Sequence, residues 1–170
     1  FDSLAASQLD AIRSGRPLTV GNFLVCVSLL ESGGMRMTPC GAGTRYLSVS
    51  HDGGLFLCHR FAGDDAFRVG DVGSGLDRRA VARLLDAFRT PQPCRQCWAL
   101  GLCGGACFHD AASEGRGSAE GAASGIDHRC EVARRVIELS MWLSASLPEG
   151  AREEIARRAV TTLPQNVGRL

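Results

Sequence analysis

The spacing of the cysteines constrains this chain more than any other feature of its sequence. The chain has 8 cysteines among 170 residues. Seven of them form one pattern: Cys-x12-Gly-x4-Cys, then a dense group Cys-x2-Cys-x5-Cys-x3-Cys, then one more cysteine after a polar gap. The seven are Cys40, Cys58, Cys94, Cys97, Cys103, Cys107 and Cys130. Thiolates this crowded indicate disulfide, metal or cluster chemistry rather than packing alone.

Composition restricts the class of protein. A length of 170 residues allows one domain with a modest core, and 45% hydrophobic residues argue against general disorder. The net charge of +1 gives no electrostatic argument for nucleic acid or an anionic membrane as a partner. No apolar run approaches the roughly 18 residues needed to span a bilayer. Because the chain begins at Phe1 without the layout of a signal peptide, we expect a C-terminal piece of a larger cytoplasmic protein, whose cysteines stay reduced or bind metal.

Hydrophobic periodicity predicts several helices. In residues 77–89, apolar side chains recur at the helical spacing i, i+3, i+4, i+7, and in residues 131–147 they recur at i, i+4, i+7, i+11. The apolar run 20–30 fits a buried helix or a strand, and the Gly33-Gly34 pair after it favours the helix. The predicted helices cover residues 3–12, 20–30, 77–89, 131–147 and 151–160.

Turn residues and alternation predict one β-hairpin. Residues 46–50 alternate apolar and polar, Asp52-Gly53 is a strong turn signal, and residues 55–59 form the returning strand. Cys58 would therefore lie on the hairpin, and Cys40 in a glycine-rich loop before it. The Gly/Ala/Ser/Glu-rich residues 111–125 are predicted to form a long mobile loop, and the tail 161–170 to be frayed.

Three kinds of cysteine chemistry compete. Disulfides are disfavoured because 8 cysteines in 170 residues lie below the roughly 8–10% typical of disulfide scaffolds. Two four-thiolate zinc sites would use all eight cysteines, but the uneven x5 and x3 spacing departs from paired Cys-x2-Cys motifs. Iron–sulfur clusters are larger than one ion and accept uneven spacing, and Gly101, Gly104 and Gly105 would let backbone N–H groups point at inorganic sulfide.

The seven-cysteine pattern resembles the signature of the SPASM domain. That is the auxiliary-cluster domain C-terminal to the barrel in many radical S-adenosylmethionine enzymes, and the likeness covers residues 40–130. The local text PCGAGTRY (39–46), CHRF (58–61) and GDV (70–72) is similar to that of bacterial peptide-thioether maturases, such as the maturases of six-cysteine peptides and the quinohemoprotein amine dehydrogenase maturation protein. The resemblance implies an α+β fold, a small β-hairpin plus several helices wrapped around two iron–sulfur clusters.

The resemblance also implies which cysteines hold each cluster. Cluster I would take Cys40, Cys58 and Cys107, and cluster II would take Cys94, Cys97, Cys103 and Cys130. The expected type is [4Fe-4S], with a two-iron form of cluster I left open. Binding of the clusters is expected to be part of folding, because the ligands come from distant segments. Some relatives carry a further cluster I cysteine where this chain has Gly34. Either Cys26 or a substrate thiolate would then complete cluster I, although a cysteine in an apolar run is more typical of a small core residue.

The implied organisation has three parts. Residues 1–34 would be a helical linker from an upstream radical S-adenosylmethionine barrel, residues 35–147 the SPASM domain, and residues 148–170 a C-terminal helix and tail. The Cys-x3-Cys-x2-Cys motif of the radical-generating cluster is absent, since Asp110 stands where its third cysteine would follow Cys107. No catalytic residue is therefore expected in this chain, and S-adenosylmethionine with a third [4Fe-4S] cluster would belong to the upstream domain.

The function implied by the resemblance is electron relay, with anchoring of a substrate thiolate, during thioether cross-link formation in a peptide. The expected partners are a peptide or small-protein substrate and an electron donor or acceptor such as ferredoxin or flavodoxin, with no nucleic acid and no membrane. Two other classes stay open: a ferredoxin-like electron-transfer module, and a zinc-stabilised interaction domain without chemistry.

Residues beside the cysteines have secondary predicted roles. Three histidines near cysteines are expected to form hydrogen bonds rather than to bind metal: His59, His109 and His128. Three arginines would raise a cluster's potential if they lie close to it, with ordinary surface positions as the equal alternative: Arg60, Arg95 and Arg129. Trp98 and Phe108 are predicted to shield cluster II from solvent.

Overall fold

The structure, a computed structural model, describes residues 1–87, 92–105, 107–116, 122–162 and 167–169. It combines helices with a small antiparallel sheet, so the predicted α+β class is confirmed. In chain order the elements are α1 (Asp2–Arg13), α2 (Gly21–Ser32), β1 (Gly34–Arg36), β2 (Ser48–Val49), β3 (Gly54–Phe56), β4 (Arg68–Asp71), β5 (Gly75–Leu76), α3 (Arg78–Ala87), α4 (Gln92–Arg95), α5 (Leu100–Cys103), α6 (Phe108–Arg116), α7 (Ala122–Ser146), α8 (Glu149–Thr162) and β6 (Val167–Arg169).

The chain divides into two compact units. The first unit comprises Phe1–Met37, Cys97–Gly104 and Ala123–Leu170. The second unit comprises Thr38–Gln96 and Gly105–Ala122. The domain boundaries drawn from the sequence at residues 34/35 and 147/148 remain predictions. Each unit is described separately below.

The first unit is built mainly on helices, and its larger apolar cluster joins residues of α1, α2 and α7. Helix α2 ends where Gly33 adopts the left-handed conformation (φ 62°), which glycine reaches without steric cost. Phe23 and Val27 of α2 are fully buried, in one cluster with Leu139 and Leu143 of α7. The helices predicted over 3–12, 20–30, 131–147 and 151–160 are therefore confirmed as α1, α2, part of α7 and α8.

The second unit is built on a four-stranded antiparallel sheet in the order β2-β3-β4-β5. The turn between β2 and β3 contains Gly53 (φ 86°), as the Asp-Gly signal predicted. Its core joins Phe56 of β3 and Val69 of β4 to Phe61, and the Phe61 and Phe67 rings lie 4.3 Å apart between centroids. Helix α3 packs on this core through Val81, so the helix predicted over 77–89 is confirmed as far as Ala87; residues 88–91 lie outside the described ones.

The sheet is larger than the predicted hairpin. The strand predicted over 55–59 ends at Phe56, and His59–Phe61 forms a 3-10 helix. Strands β4 and β5 were not predicted, because they are short and carry glycine and charge rather than a clear alternation. Cys58 therefore follows the second strand of the hairpin instead of lying within it.

Two loop predictions are wrong. The segment predicted as a mobile loop over 111–125 is helical at both ends, within α6 up to Arg116 and within α7 from Ala122. Its alanine and glutamate residues favour helix, and this preference outweighs the interspersed glycines. The tail is not frayed at residues 167–169, since β6 pairs antiparallel with β1, Met35 opposite Gly168. Residues 117–121, 163–166 and 170 lie outside the described ones.

Within the described ranges, no helix is both long and apolar enough to cross a membrane.

Candidate functional site

Three of the predicted cluster ligands lie around one tyrosine hydroxyl in the second unit. The Tyr46 hydroxyl donates a hydrogen bond to the Cys40 thiol, and the charges of Cys58 and Cys107 also act on it. Partial burial and then the neighbouring Cys40 raise the pKa of Tyr46 to about 12, so the phenol keeps its proton near neutral pH. We call Cys40, Cys58 and Cys107 the first thiol group. The sequence prediction placed these three together.

A glycine loop holds Cys40 next to the strand that leads to Cys58. The N–H of Gly43 donates to the carbonyl of Tyr46 at 3.1 Å and to that of Leu57 at 3.2 Å. Gly43 is left-handed (φ 71°), and a Cβ there would lie 2.6 Å from Leu57 Cδ2. Only glycine fits at this position without a shift of its neighbours.

Core packing and capping bonds place the other two thiols. Cys58 is buried among the apolar side chains at the end of β3, and its carbonyl accepts the N–H of Phe61 at 3.1 Å. Cys107 directly precedes α6, and its carbonyl accepts the N–H of Ala111 at 2.9 Å. Phe108, the next residue, packs into the same core as Cys58. Both thiols are thus positioned by packing of the second unit.

One cation lies directly against the first thiol group. Arg60 Nη1 donates to Cys107 Sγ at 3.5 Å and forms an ion pair with Asp110 Oδ1 at 2.7 Å. A thiolate at Cys107 would be stabilised by this charge-assisted hydrogen bond. Of the three arginines predicted to lie beside cysteines, Arg60 is the one with a described bond to a sulfur.

A second set of cysteines gathers in the first unit. Cys97 and Cys103 pack with buried Cys26 around Ala99 and Ile137. A cavity of about 420 Å³ adjoins them, with Cys26 and Cys103 among its lining residues. Cys130 precedes Ile137 by seven residues on α7, two helical turns along the same face. We call Cys97, Cys103 and Cys130 the second thiol group. Cys94, also predicted as a ligand of cluster II, belongs to the second unit, on α4.

The eighth cysteine, Cys26, is a buried core residue. It is 7% exposed, and burial raises the pKa of its thiol. A hydrogen bond with Ser140 lowers the pKa of the Cys26 thiol, but burial is the larger effect and raises it. The Cys26 thiol therefore keeps its proton near neutral pH.

The thiol groups differ from a site for a single metal ion. Among the described residues, no three His, Cys, Asp or Glu side chains form a group that could hold one ion. Thiolates around one zinc ion stand about 3.8 Å apart, given a Zn–S distance of about 2.3 Å and tetrahedral geometry. Ligands of an iron–sulfur cluster bind separate iron atoms and stand further apart. The donor chemistry of the first thiol group, three thiols with two hydrogen-bond donors, fits such a cluster.

The structure also gives the surroundings of side chains predicted to lie near the cysteines. Trp98 is 57% exposed. Phe108 is buried in the same core cluster as Cys58 of the first thiol group. The predicted shielding of the second cluster by these two residues stays a prediction. His128 is largely exposed, 4.0 Å from Glu131. The sequence analysis did not predict a role for Tyr46. The available signal was that Tyr46 is the only tyrosine of the chain and lies six residues after Cys40.

Comparison with known proteins adds little to this description. No protein-family model matches the chain. The chain is similar to an uncharacterized protein of Archaeoglobus fulgidus, with 29% identity over 109 residues, a match that covers 58% of this chain and 26% of the archaeal protein. The chain thus spans about a quarter of the length of this relative. The relative's description states no activity, so it suggests none for this chain.

Proposed function

We propose that this chain is an iron–sulfur-binding domain of a radical S-adenosylmethionine enzyme that modifies peptides. The observations that support this best are that Cys40 and Cys58 pack in one core cluster and that Arg60, two residues after Cys58, donates to Cys107 Sγ at 3.5 Å. Thiols in such an arrangement, with a cationic donor on one of them, suit an anionic cluster. The spacing of all seven cysteines, similar to that of SPASM domains, agrees with this proposal.

In this proposal the seven cysteines are divided between two clusters. The first cluster is held by Cys40, Cys58 and Cys107, which leaves one coordination position to a ligand from outside the group. The second is held by Cys94 together with the second thiol group. When bound, the clusters would supply one-electron transfer, and an open iron of the first could bind a thiolate of the substrate peptide during thioether formation.

Cys26 does not take the open position in this proposal. Its thiol is buried and packs with Cys97 and Cys103 in the first unit. Ligation of iron would require loss of a proton from this buried group, whose pKa is raised. We therefore propose that a thiolate of the peptide substrate, rather than Cys26, fills the fourth position of the first cluster.

The remaining parts of the proposal concern the whole enzyme. S-adenosylmethionine and its [4Fe-4S] cluster would be held by an upstream barrel, and a cytoplasmic ferredoxin or flavodoxin would exchange electrons with the auxiliary clusters. A ferredoxin-like electron-transfer module is the second candidate, since the same thiol groups would serve it.

Metal analysis tests the proposal. After anaerobic purification we expect roughly eight irons with matching sulfide, on four-iron stoichiometry. Cys107→Ala should lose the first cluster, about four irons, whereas the matched control Cys26→Ala should retain both. A colourless protein that contains zinc alone would refute both the maturase and the electron-transfer candidate. Loss of the first cluster in Cys26→Ala would show that its fourth position is not open.

A second measurement separates the two candidates. If the first cluster has an open iron, a cysteine-containing peptide should change its electron paramagnetic resonance (EPR) spectrum, and the same peptide with serine in place of cysteine should not. A ferredoxin-like module with a fully ligated cluster would respond to neither peptide.

A further inference from the structure

Two segments that carry members of the first thiol group contact each other residue by residue: one follows Cys58 and the other follows Cys107. Arg60, two positions after Cys58, forms its ion pair with Asp110, three positions after Cys107, at 2.7 Å. The next residue, Phe61, lies against His109, with 5.2 Å between ring centroids. The two consecutive contacts run in opposite chain directions, so they fix the register of one segment against the other.

The ion pair also sets where the guanidinium points. The Asp110 side chain is 15% exposed and that of Arg60 43%. A guanidinium has five N–H donors in a planar fork, so its bond to Asp110 leaves donors for a second acceptor. That acceptor is Cys107 Sγ, 3.5 Å from Nη1. Asp110 thereby holds the positive charge of Arg60 against the Cys107 thiol, and its own negative charge partly neutralises that positive charge.

We propose that Arg60, held in place by Asp110, sets the reduction potential of the cluster bound by Cys40, Cys58 and Cys107. This inference rests on the proposed function. One-electron reduction adds a negative charge to the cluster, and a cationic hydrogen-bond donor on a ligand sulfur stabilises the reduced state more than the oxidised one. Arg60 therefore raises the potential, and Asp110, as a neighbouring anion, lowers it.

The test is a dithionite titration of the anaerobic protein, with dithionite as the electron donor and EPR as the readout. The signal of the first cluster is identified as the one absent in Cys107→Ala. In Arg60→Gln, the ratio of reduced to oxidised first cluster at fixed potential should fall roughly tenfold, because a hydrogen bond from a charged group is lost. For one electron, a tenfold change is a downward shift of about 59 mV.

Three further variants distinguish tuning from a structural role. Asp110→Asn keeps an Oδ1 that can accept the hydrogen bond from Arg60 but removes the negative charge, so it should shift the same potential upward, opposite in sign to Arg60→Gln. Arg60→Lys should restore most of the wild-type potential, because it keeps the charge. Arg78→Gln, which removes an exposed arginine of the second unit on α3, is the matched control and should leave the potential unchanged.

The outcomes are separable. If Arg60→Gln and Asp110→Asn shift the potential in the same direction, or by no more than Arg78→Gln, the inference is overturned and the proposed function stands. If Arg60→Gln fails to retain the cluster, Asp110→Asn decides by the sign of its shift: upward supports the inference, and no shift or a downward one overturns it. A wild-type protein without iron overturns the proposed function and this inference with it.

Discussion

The substitution Gly43→Ala should destabilise the second unit by an amount that can be divided into two parts. Gly43 is left-handed (φ 71°), and an L-residue in that conformation costs about 1–2 kcal/mol. The added Cβ would also lie 2.6 Å from Leu57 Cδ2, and overpacking of this kind costs about 1–3 kcal/mol. The free energy of unfolding should therefore fall by about 2–5 kcal/mol.

The clash has no easy relief. Leu57 is fully buried, and Val81 Cγ1 and Leu85 Cδ2 lie 3.6 Å from the same added Cβ. A new rotamer of Leu57 would have to find space in a close-packed core. The Gly43 N–H donates to two carbonyls, so the backbone is also restrained from moving away.

A matched control isolates the two parts. Gly63 is in the same unit with a similar φ of 88°, and a Cβ there would meet nothing within 4 Å. Gly63→Ala should cost only the conformational part, about 1–2 kcal/mol. Urea denaturation followed by far-UV circular dichroism gives both values, and hydrogen exchange of the β3 and β4 amides assigns the loss to the second unit. Equal costs for the two variants would refute the argument from the Leu57 contact.

Two further predictions concern charged side chains. A hydrogen bond from Ser50 is the main cause that lowers the pKa of Asp52 to about 2. Because the folded-state pKa is depressed, Asp52 stabilises the protein above its unfolded pKa of about 3.9 and loses this effect as pH falls toward 2. Asp52→Asn should therefore weaken the pH dependence of the free energy of unfolding, measured by urea denaturation, between those two pH values. An unchanged pH dependence would contradict this. Arg152 binds the largely buried carboxylate of Glu31 at 3.0 Å, so Arg152→Met should cost about 1–3 kcal/mol by the same denaturation assay. The control Arg157→Met removes an exposed surface pair and should cost under about 1 kcal/mol; equal losses would refute the role of Glu31 burial.

Helix periodicity predicted the first unit well, because its helices bury an apolar face. In α7, four residues were predicted on one face: Val136, Leu139 and Leu143 are buried, and Val132 is half-buried. The end of α2 was predicted from a glycine pair, and Gly33 is indeed the left-handed residue there. Local signals are enough to predict such helices, because the apolar periodicity and the capping residues indicate the same element.

The second unit was less predictable because its strands depend on one another. Strand β4 reads Arg68-Val-Gly-Asp, with one apolar residue, and is specified mainly by pairing with β3 across a bulge. The helices around residues 111–125 were missed for another reason. Their glycine and serine content was interpreted as loop composition, whereas the alanine and glutamate residues decide the conformation.

The surroundings of the candidate site were harder to predict than its cysteines. The resemblance to SPASM domains implied Cys40, Cys58 and Cys107 as one group, and all three act on the Tyr46 hydroxyl; their role as cluster ligands stays a prediction. Nothing local indicates that Arg60 would bind Asp110, because that pair exists only once the two ligand segments are aligned. Side chains that act on a site across tertiary contacts are the part a single sequence leaves undetermined.

The packing of the second unit is relevant to how cluster binding and folding are coupled in this unit. The sequence analysis expected cluster binding to be part of folding. In the second unit, however, the thiols lie at the edge of a core in which Phe56, Leu57, Phe61 and Val69 are nearly or fully buried. Small metal-dependent domains unfold without their ion because they lack such a core. Here apolar packing places Cys58 and Phe108, and the Arg60–Asp110 pair fixes Cys107 beside them. That cluster binding is part of folding stays a prediction, and the apolar packing around Cys58 and Phe108 is the part of this unit to which a bound cluster would add stability.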